Sequence, residues 1–161
     1  MLPNVQFKKL TAADVAEILV MYHQSFADLY ARYRDTATNP YCETATSVAA
    51  KVVRPGSTYW SILTGATVVG LIRVITGEAP KQARISPLLI LPSFQEHHLA
   101  AAALSQIEGR YPNVHTWHVD TIAQETKLVH LYTKLGYHQI LGKQTVIQPG
   151  MTVIYFEKDV N

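Results

Sequence analysis

"RISPLLILPSFQEHHLAAAAL", residues 84–104, joins a continuous apolar run to a proline, a short polar bend and a string of alanines. An apolar run that does not alternate is the pattern of a strand covered on both faces. The alanines, with Leu99, Ala103, Leu104 and Ile107 on one stripe, predict a helix over 97–110. A strand that feeds a helix this directly is the first half of a parallel crossover. Its second strand should be "VHTWHVDTI", 114–122, so that 85–92 pairs with it in parallel. The bend has a chemical consequence. The first-turn N–H groups of a helix lack intrahelical partners and the macrodipole adds partial positive charge there, so the mouth of this helix suits a phosphate.

Outward from this unit, the remaining pattern is mixed. Residues 5–10 alternate weakly as a strand, and "TAADVAEILVMYHQSF", 11–26, reads as a helix with Thr11 as N-cap and Asp14 in the first turn. Segment 28–43, rich in tyrosine and turn-formers, reads as a broken helix and loop. "TATSVAAKVV", 44–53, is a second helix stopped by Pro55-Gly56. "TYWSIL" and "TVVGLIRVI" form a hairpin around "TGA", and two further strands flank "QPG" near the end. The expectation is a single domain over 1–161 of mixed α/β (α+β) class, with about seven strands in one mixed sheet and about four helices.

Composition narrows the function. Charged residues are 16% of the chain, below the typical level of about 25%, while apolar residues are 48%. The chain therefore buries much of its surface or pairs with a second copy, so a homodimer is a possible partner. A net charge of +2 without a basic run gives no case for nucleic acid. No apolar stretch reaches the roughly 20 residues of a membrane span. "MLPNVQFKKL" lacks the order of a secretory signal, and Cys42 is the only cysteine, which together lead us to expect a cytoplasmic protein without membrane contact. No metal site is expected. His97 and His98 are adjacent and diverge on a helix, while His115 and His118 face opposite sides of a strand.

The second informative stretch is "QETKLVHLYTKLGY", 124–137, a helix closed by Gly136 as the C′ residue. Leu128, Leu131, Tyr132 and Leu135 share one face, so Tyr132 points towards the sheet. There it is either a core tyrosine or a proton donor. A phenol near pKa 10 suits the capping of a thiolate leaving group whose own pKa is about 8.5 or above.

These two stretches together resemble the GNAT superfamily of N-acetyltransferases. Members carry a strand, a loop of pattern Q/R-x-x-G-x-G/A and a helix, to which Gln95, Glu96, His97, His98, Leu99 and Ala100 correspond. "LYTKLGY" matches their later tyrosine and glycine–aromatic pair, and the element order matches over nearly the whole chain. The resemblance implies a GNAT acyl-coenzyme A N-acyltransferase fold and transfer of an acetyl or acyl group from acetyl-coenzyme A by direct attack of a primary amine, on a small molecule or peptide. It implies that the loop amides hold the pyrophosphate, that backbone at Leu89, Ile90 and Leu91 serves the pantetheine and thioester carbonyl, and that Tyr132 is the general acid.

Within the loop the sequence departs from that pattern in three places. His98 stands where the family has glycine, His97 where lysine or arginine is common, and Glu96 adds a negative charge. Either the histidines act as donors or the loop binds weakly, and the latter leaves a second reading: an acyl-coenzyme A-binding or sensing module without catalysis. Glu125 stands where many relatives have asparagine; it is a helix-start carboxylate or a base for the amine, with Asp120 as its rival. Arg73, on a largely apolar strand, needs an anionic partner, for which Glu78 and Asp120 are the expected residues and a substrate carboxylate is the alternative.

Overall fold

In the computed structural model, which describes residues 1–160, seven strands and four helices follow the expected order. They are β1 (Gln6–Lys9), α1 (Val15–Tyr33), α2 (Ala45–Val53), β2 (Ser57–Thr64), β3 (Thr67–Thr76), β4 (Gln82–Ile90), α3 (Leu99–Ile107), β5 (Thr116–Ile122), α4 (Thr126–Lys134), β6 (His138–Gln148) and β7 (Met151–Asp159). One sheet runs β1-β2-β3-β4-β5-β7-β6, antiparallel throughout except between β4 and β5.

Helices α3 and α4 pack on one face, where Ala102, Ala103, Leu104 and Ile107 meet Ile72, Val74, Trp117 and Val119. Ala102 and Ala103 are wholly buried, so the alanine string lets α3 lie close to the sheet. On the other face Ile18, Met21 and Tyr22 of α1 and Val48 of α2 cover Tyr59, Leu71 and Leu89. Each fully buried side chain of this size contributes about 1.5–3 kcal/mol before chain entropy is charged against it.

Helix boundaries follow local chemistry, with two corrections. Thr11 is the N-cap as expected and forms a capping box with Asp14, Thr11 Oγ1 accepting from Ala13 N and Asp14 Oδ2 from Thr11 N. The helix does not stop at 26: α1 continues through "DLYARY" to Tyr33 and ends at Arg34, whose φ is 53°. The turn-formers begin only at Asp35, a buried carboxylate that accepts from Ala37 N and Thr38 N and folds the chain back. Tyr41 then stacks on Tyr30 at 4.8 Å, so the tyrosines of this segment join helix to loop. The second correction is that α3 begins at Leu99 rather than at 97, because Glu96 and His98 have φ of 67° and 61°.

The parallel pairing lies before 85–92 rather than within it. Only Gln82, Ala83 and Arg84 pair with Thr116, Trp117 and His118; beyond them the two strands part. The cause lies in β4. Ile72 opposes Leu88 while Val74 opposes Ile85, so Ser86 and Pro87 share the single place opposite Arg73, a β-bulge. Pro87 has no N–H to offer a neighbouring strand. At the far end of β4, Gly70 permits close approach: a Cβ there would lie 2.2 Å from the Leu89 carbonyl oxygen.

The bulge also corrects the reading of Arg73. Its partners are neither Glu78, which pairs with Arg84 at 3.2 Å, nor Asp120. Nε donates to Ser57 Oγ at 3.0 Å, Nη1 donates to the Ser86 carbonyl at 3.3 Å, and the guanidinium lies 5.4 Å from the Tyr59 ring centre. Burial lowers its pKa, and a neutral carbonyl turned inward by the bulge stands where an anion was expected.

Candidate active site

The parting of β4 and β5 opens a cleft of about 190 Å³, lined by the bulge residues Ser86, Pro87 and Leu88, by Asp120, Thr121 and Ile122 of β5, and by Leu128 and Tyr132 of α4. Asp35, Thr38 and Asn39 close its outer side from the loop after α1. A second hollow, about 400 Å³, adjoins it at Leu128 and is walled by Ile90, Gln95, Glu96, His98, Leu99, Ala100 and Lys127. Leu128 thus borders both the hollow at the α3 mouth and the cleft of Tyr132.

The end of α4 fixes Tyr132. Gly136, with φ 93°, lets the Tyr137 N–H reach the Tyr132 carbonyl at 3.0 Å and the Gly136 N–H reach Thr133 at 3.1 Å. This is a Schellman motif with Tyr132 at C3 and Tyr137 at C″, whose rings make the expected apolar contact at 5.9 Å. The spacing Y-x-x-x-G-Y is thus the spacing of a helix stop that holds one tyrosine by its own carbonyl. Phe156 packs on the same ring at 5.9 Å. Burial, and then the charge of Asp120, push the Tyr132 pKa up, so the hydroxyl keeps its proton through the neutral range.

Asp120 is half-buried and, among the described residues, makes no side-chain hydrogen bond or ion pair. Burial raises its pKa, with Arg84 and Lys143 opposing. Glu125 behaves differently. Its carboxylate, at the start of α4, is turned to α1, where Arg32 Nη1 donates to both oxygens at 2.6 and 2.7 Å and Tyr33 Oη donates at 2.5 Å. Desolvation would raise the pKa of Glu125, but the Arg32 and Tyr33 hydrogen bonds and the Arg32 charge outweigh it and hold it low. A carboxylate so engaged is a poor proton acceptor.

Strand register selects among Leu89, Ile90 and Leu91. The Leu91 N–H is committed to the Val69 carbonyl at 2.8 Å, and alternation along an antiparallel pair turns Leu89 to β3 as well. The backbone groups of Leu88 and Ile90 point instead into the gap. The Ile90 carbonyl accepts from Gln95 Nε2 at 3.0 Å, which leaves the Ile90 N–H as the one donor of the three that faces the gap.

At the α3 mouth His98 is the N-cap residue, but its side chain caps no amide. The first-turn N–H groups of Leu99 and Ala100 are therefore open to an anion. His97 lies in the bend before the helix, exposed. Glu96 Oε1 stands 3.7 Å from Lys127 Nζ, so a cation on α4 faces the loop that lacks one in sequence. Lys127, Asp35, Thr38, Asn39 and the bulge were not singled out from the sequence. "DTATNP" carried a turn signal, but nothing local placed that turn beside Tyr132.

Comparison with known proteins agrees with this fold. A family model described as an acetyltransferase (GNAT) domain matches residues 21–160, and the chain belongs to that family, whose members are acyl-coenzyme A-dependent N-acyltransferases. Among solved structures, an acetyltransferase from Thermus thermophilus superposes with TM-score 0.75 at 17% identity, covering 98% of this chain and 97% of that one. The PaiA N-acetyltransferase of Thermoplasma acidophilum, solved in complex with coenzyme A, gives 0.72 at 15% identity, covering 98% and 99%. The ribosomal-protein-S18-alanine N-acetyltransferase of Escherichia coli gives 0.75 at 11% identity, covering 98% and 94%. A search of curated proteins found no match. Among the described residues no helix is long and apolar enough to cross a membrane, and no group of three or more His, Cys, Asp or Glu is placed to hold a metal.

Proposed function

We propose that this chain transfers an acetyl group from acetyl-coenzyme A to a primary amine by direct attack. The observation that carries the reading is that Tyr132 and Asp120 line one cleft where β4 and β5 part. The amides of 96–100 and the Lys127 ammonium receive the pyrophosphate. Leu88 and Ile90 pair with the pantetheine as an added strand would, and the Ile90 N–H holds the thioester carbonyl oxygen as negative charge gathers on it. Asp120, not Glu125, takes the proton from the attacking nitrogen. As the N–C bond forms and the C–S bond breaks, Tyr132 gives its hydroxyl proton to the departing sulfur.

The test is release of free thiol from acetyl-coenzyme A in the presence of a panel of amines, with Tyr132→Phe beside the parent. The substitution keeps the ring in the Schellman contact and should lower turnover ~10²- to 10⁴-fold while leaving the melting temperature and coenzyme A affinity near their parent values. Near-normal turnover in the variant would return Tyr132 to the core. A second reading, a module that binds acyl-coenzyme A without catalysis, draws on one observation: the anion loop carries the Glu96 carboxylate and two non-glycine residues at positive φ. Coenzyme A binding without thiol release across the whole panel would favour it.

A further inference from the structure

On the sheet face that carries α1 and α2, the helices cover β2 to β4 and leave the region over β5, β7 and β6 open. A hollow of about 510 Å³ lies there, with Glu78, Arg84, His118, Asp120, Lys143 and Tyr155 among its walls. Asp120 borders both this hollow and the cleft of Tyr132. The hollow is large enough for a small ligand.

Its charges are not all matched. Glu78 and Arg84 pair with each other at 3.2 Å, and His118 Nε2 shares a hydrogen bond with Gln82 Oε1 at 2.8 Å. Among the described residues, Asp120 and Lys143 are left without an ion partner. The Lys143 ammonium rests only on the Tyr155 ring, 4.6 Å from its centre, and the Tyr155 hydroxyl is held by Thr145 Oγ1 at 2.7 Å. The half-buried Asp120 and the exposed Lys143 therefore share a single hollow, each without an ion partner among the described residues. A ligand that satisfies both brings a cation to Asp120 and an anion to Lys143.

We infer that the acceptor is a zwitterionic amine, its ammonium received by Asp120 and its acidic group, a carboxylate or similar oxyanion, held by Lys143. This rests on the acetyl-transfer reading for the amine end and adds the second recognition point. A polyamine fits less well, because a second acid would be needed and Glu78 is already engaged by Arg84.

The experiment uses short ω-amino acids of increasing chain length, each beside its own carboxamide, which has the same amine and shape without the charge. Turnover is followed by thiol release, and binding of the same compounds is measured separately by calorimetry with coenzyme A present. At the best chain length the acid should exceed its amide by about tenfold or more in kcat/KM, the scale of one charge-assisted contact. Lys143→Met, which keeps the stem over Tyr155, should bring that ratio close to one, and Lys143→Arg should restore it. Equal use of acid and amide by the parent, a preference that survives in Lys143→Met, or preferred turnover of a polyamine would each overturn the inference while leaving acetyl transfer intact. Selective binding of the acids without any turnover would uphold the hollow and overturn the transfer reading instead.

Discussion

Replacing His98 by glycine separates two effects that its position combines. The residue sits at φ 61°, ψ 20° as the N-cap of α3, in the left-handed region, and its side chain also borders the hollow at the loop. An L-residue held there costs about 1–2 kcal/mol, whereas glycine is unstrained but gives up about 0.5–1 kcal/mol more chain entropy on folding. His98→Gly should therefore stabilise the fold by up to about 1 kcal/mol, a rise in melting temperature of about 1–4 °C for a domain of this length. That gain is present with or without ligand, because the loop already holds the conformation, so it does not change affinity. Affinity changes only if the imidazole and Cβ crowd the phosphate, and relief of one such contact should tighten coenzyme A binding about three- to tenfold. His98→Ala keeps the Cβ and the strain but removes the imidazole, and so divides the two. Thermal melts should rank glycine above alanine, while calorimetry should show both variants binding coenzyme A at least as tightly as the parent. If alanine and glycine melt alike, the strain argument is wrong. If both bind more weakly than histidine, the imidazole is a donor to the phosphate and the loop is adapted rather than damaged.

Three further outcomes follow from the same geometry. Asp120→Asn should abolish the acidic limb of the kcat/KM profile, which in the parent lies above the ordinary aspartate value of 3.8 because burial raises the pKa of the free protein's carboxyl; since the charged form is the one burial disfavours, the variant should melt no lower than the parent at neutral pH. Glu125→Gln should cost no more than about 1 kcal/mol in denaturant titrations near pH 7, given that Arg32 is half exposed, and should spare turnover. Because hydrogen bonds and charge hold the Glu125 pKa below its ordinary value of 4.5, that stability difference should be present above 4.5 and vanish as pH falls through the lower folded value; a loss of turnover of the size expected for a missing base would restore Glu125 to the chemistry. Gly70→Ala would set a Cβ against the backbone oxygen of Leu89 and should destabilise by about 1–3 kcal/mol, with coenzyme A affinity falling as the end of β4 shifts; a melt unchanged from the parent would show that β3 and β4 separate there freely.

The parts of the site that were legible in sequence are those whose causes are local. The stop at Gly136 and the inward face of Tyr132 depend on residues within two helical turns, and both are where the pattern put them. The loop at 95–100 was legible differently: the local pattern began the helix at 97, and only the family resemblance marked His98 as a glycine position, where it does adopt positive φ. What failed depended on partners far along the chain. The number of parallel pairs between β4 and β5 turns on the bulge at Ser86 and Pro87, which is defined only against β3. Which amide among Leu89, Ile90 and Leu91 faces the gap depends on the phase of that same register, and phase is invisible in an apolar run without alternation.

Glu125 and Asp120 show how a single helix boundary changes the surroundings of a carboxylate. In sequence both carboxylates lie near the open end of the sheet, five residues apart, with nothing local to separate them. The separation comes from α1. A helix ending at 26 leaves Arg32 and Tyr33 in an irregular loop and Glu125 without a partner, free to act as a base. The helix in fact continues two turns further, and Arg32 and Tyr33 arrive in its last turn against the start of α4. Glu125 is then fixed as a link between two helices that are 92 and 93 residues apart along the chain at the points of contact. The same extension places Asp35 at the helix end, where it folds the 35–40 loop over the cleft and encloses the side on which Asp120 stands. One length of helix therefore supplies the partners that hold the first carboxylate and the loop that borders the cleft of the second. Shortening it, for example with Ala31→Pro, should release Glu125 and open the cleft together; loss of one effect without the other would show that the two carboxylates are set independently.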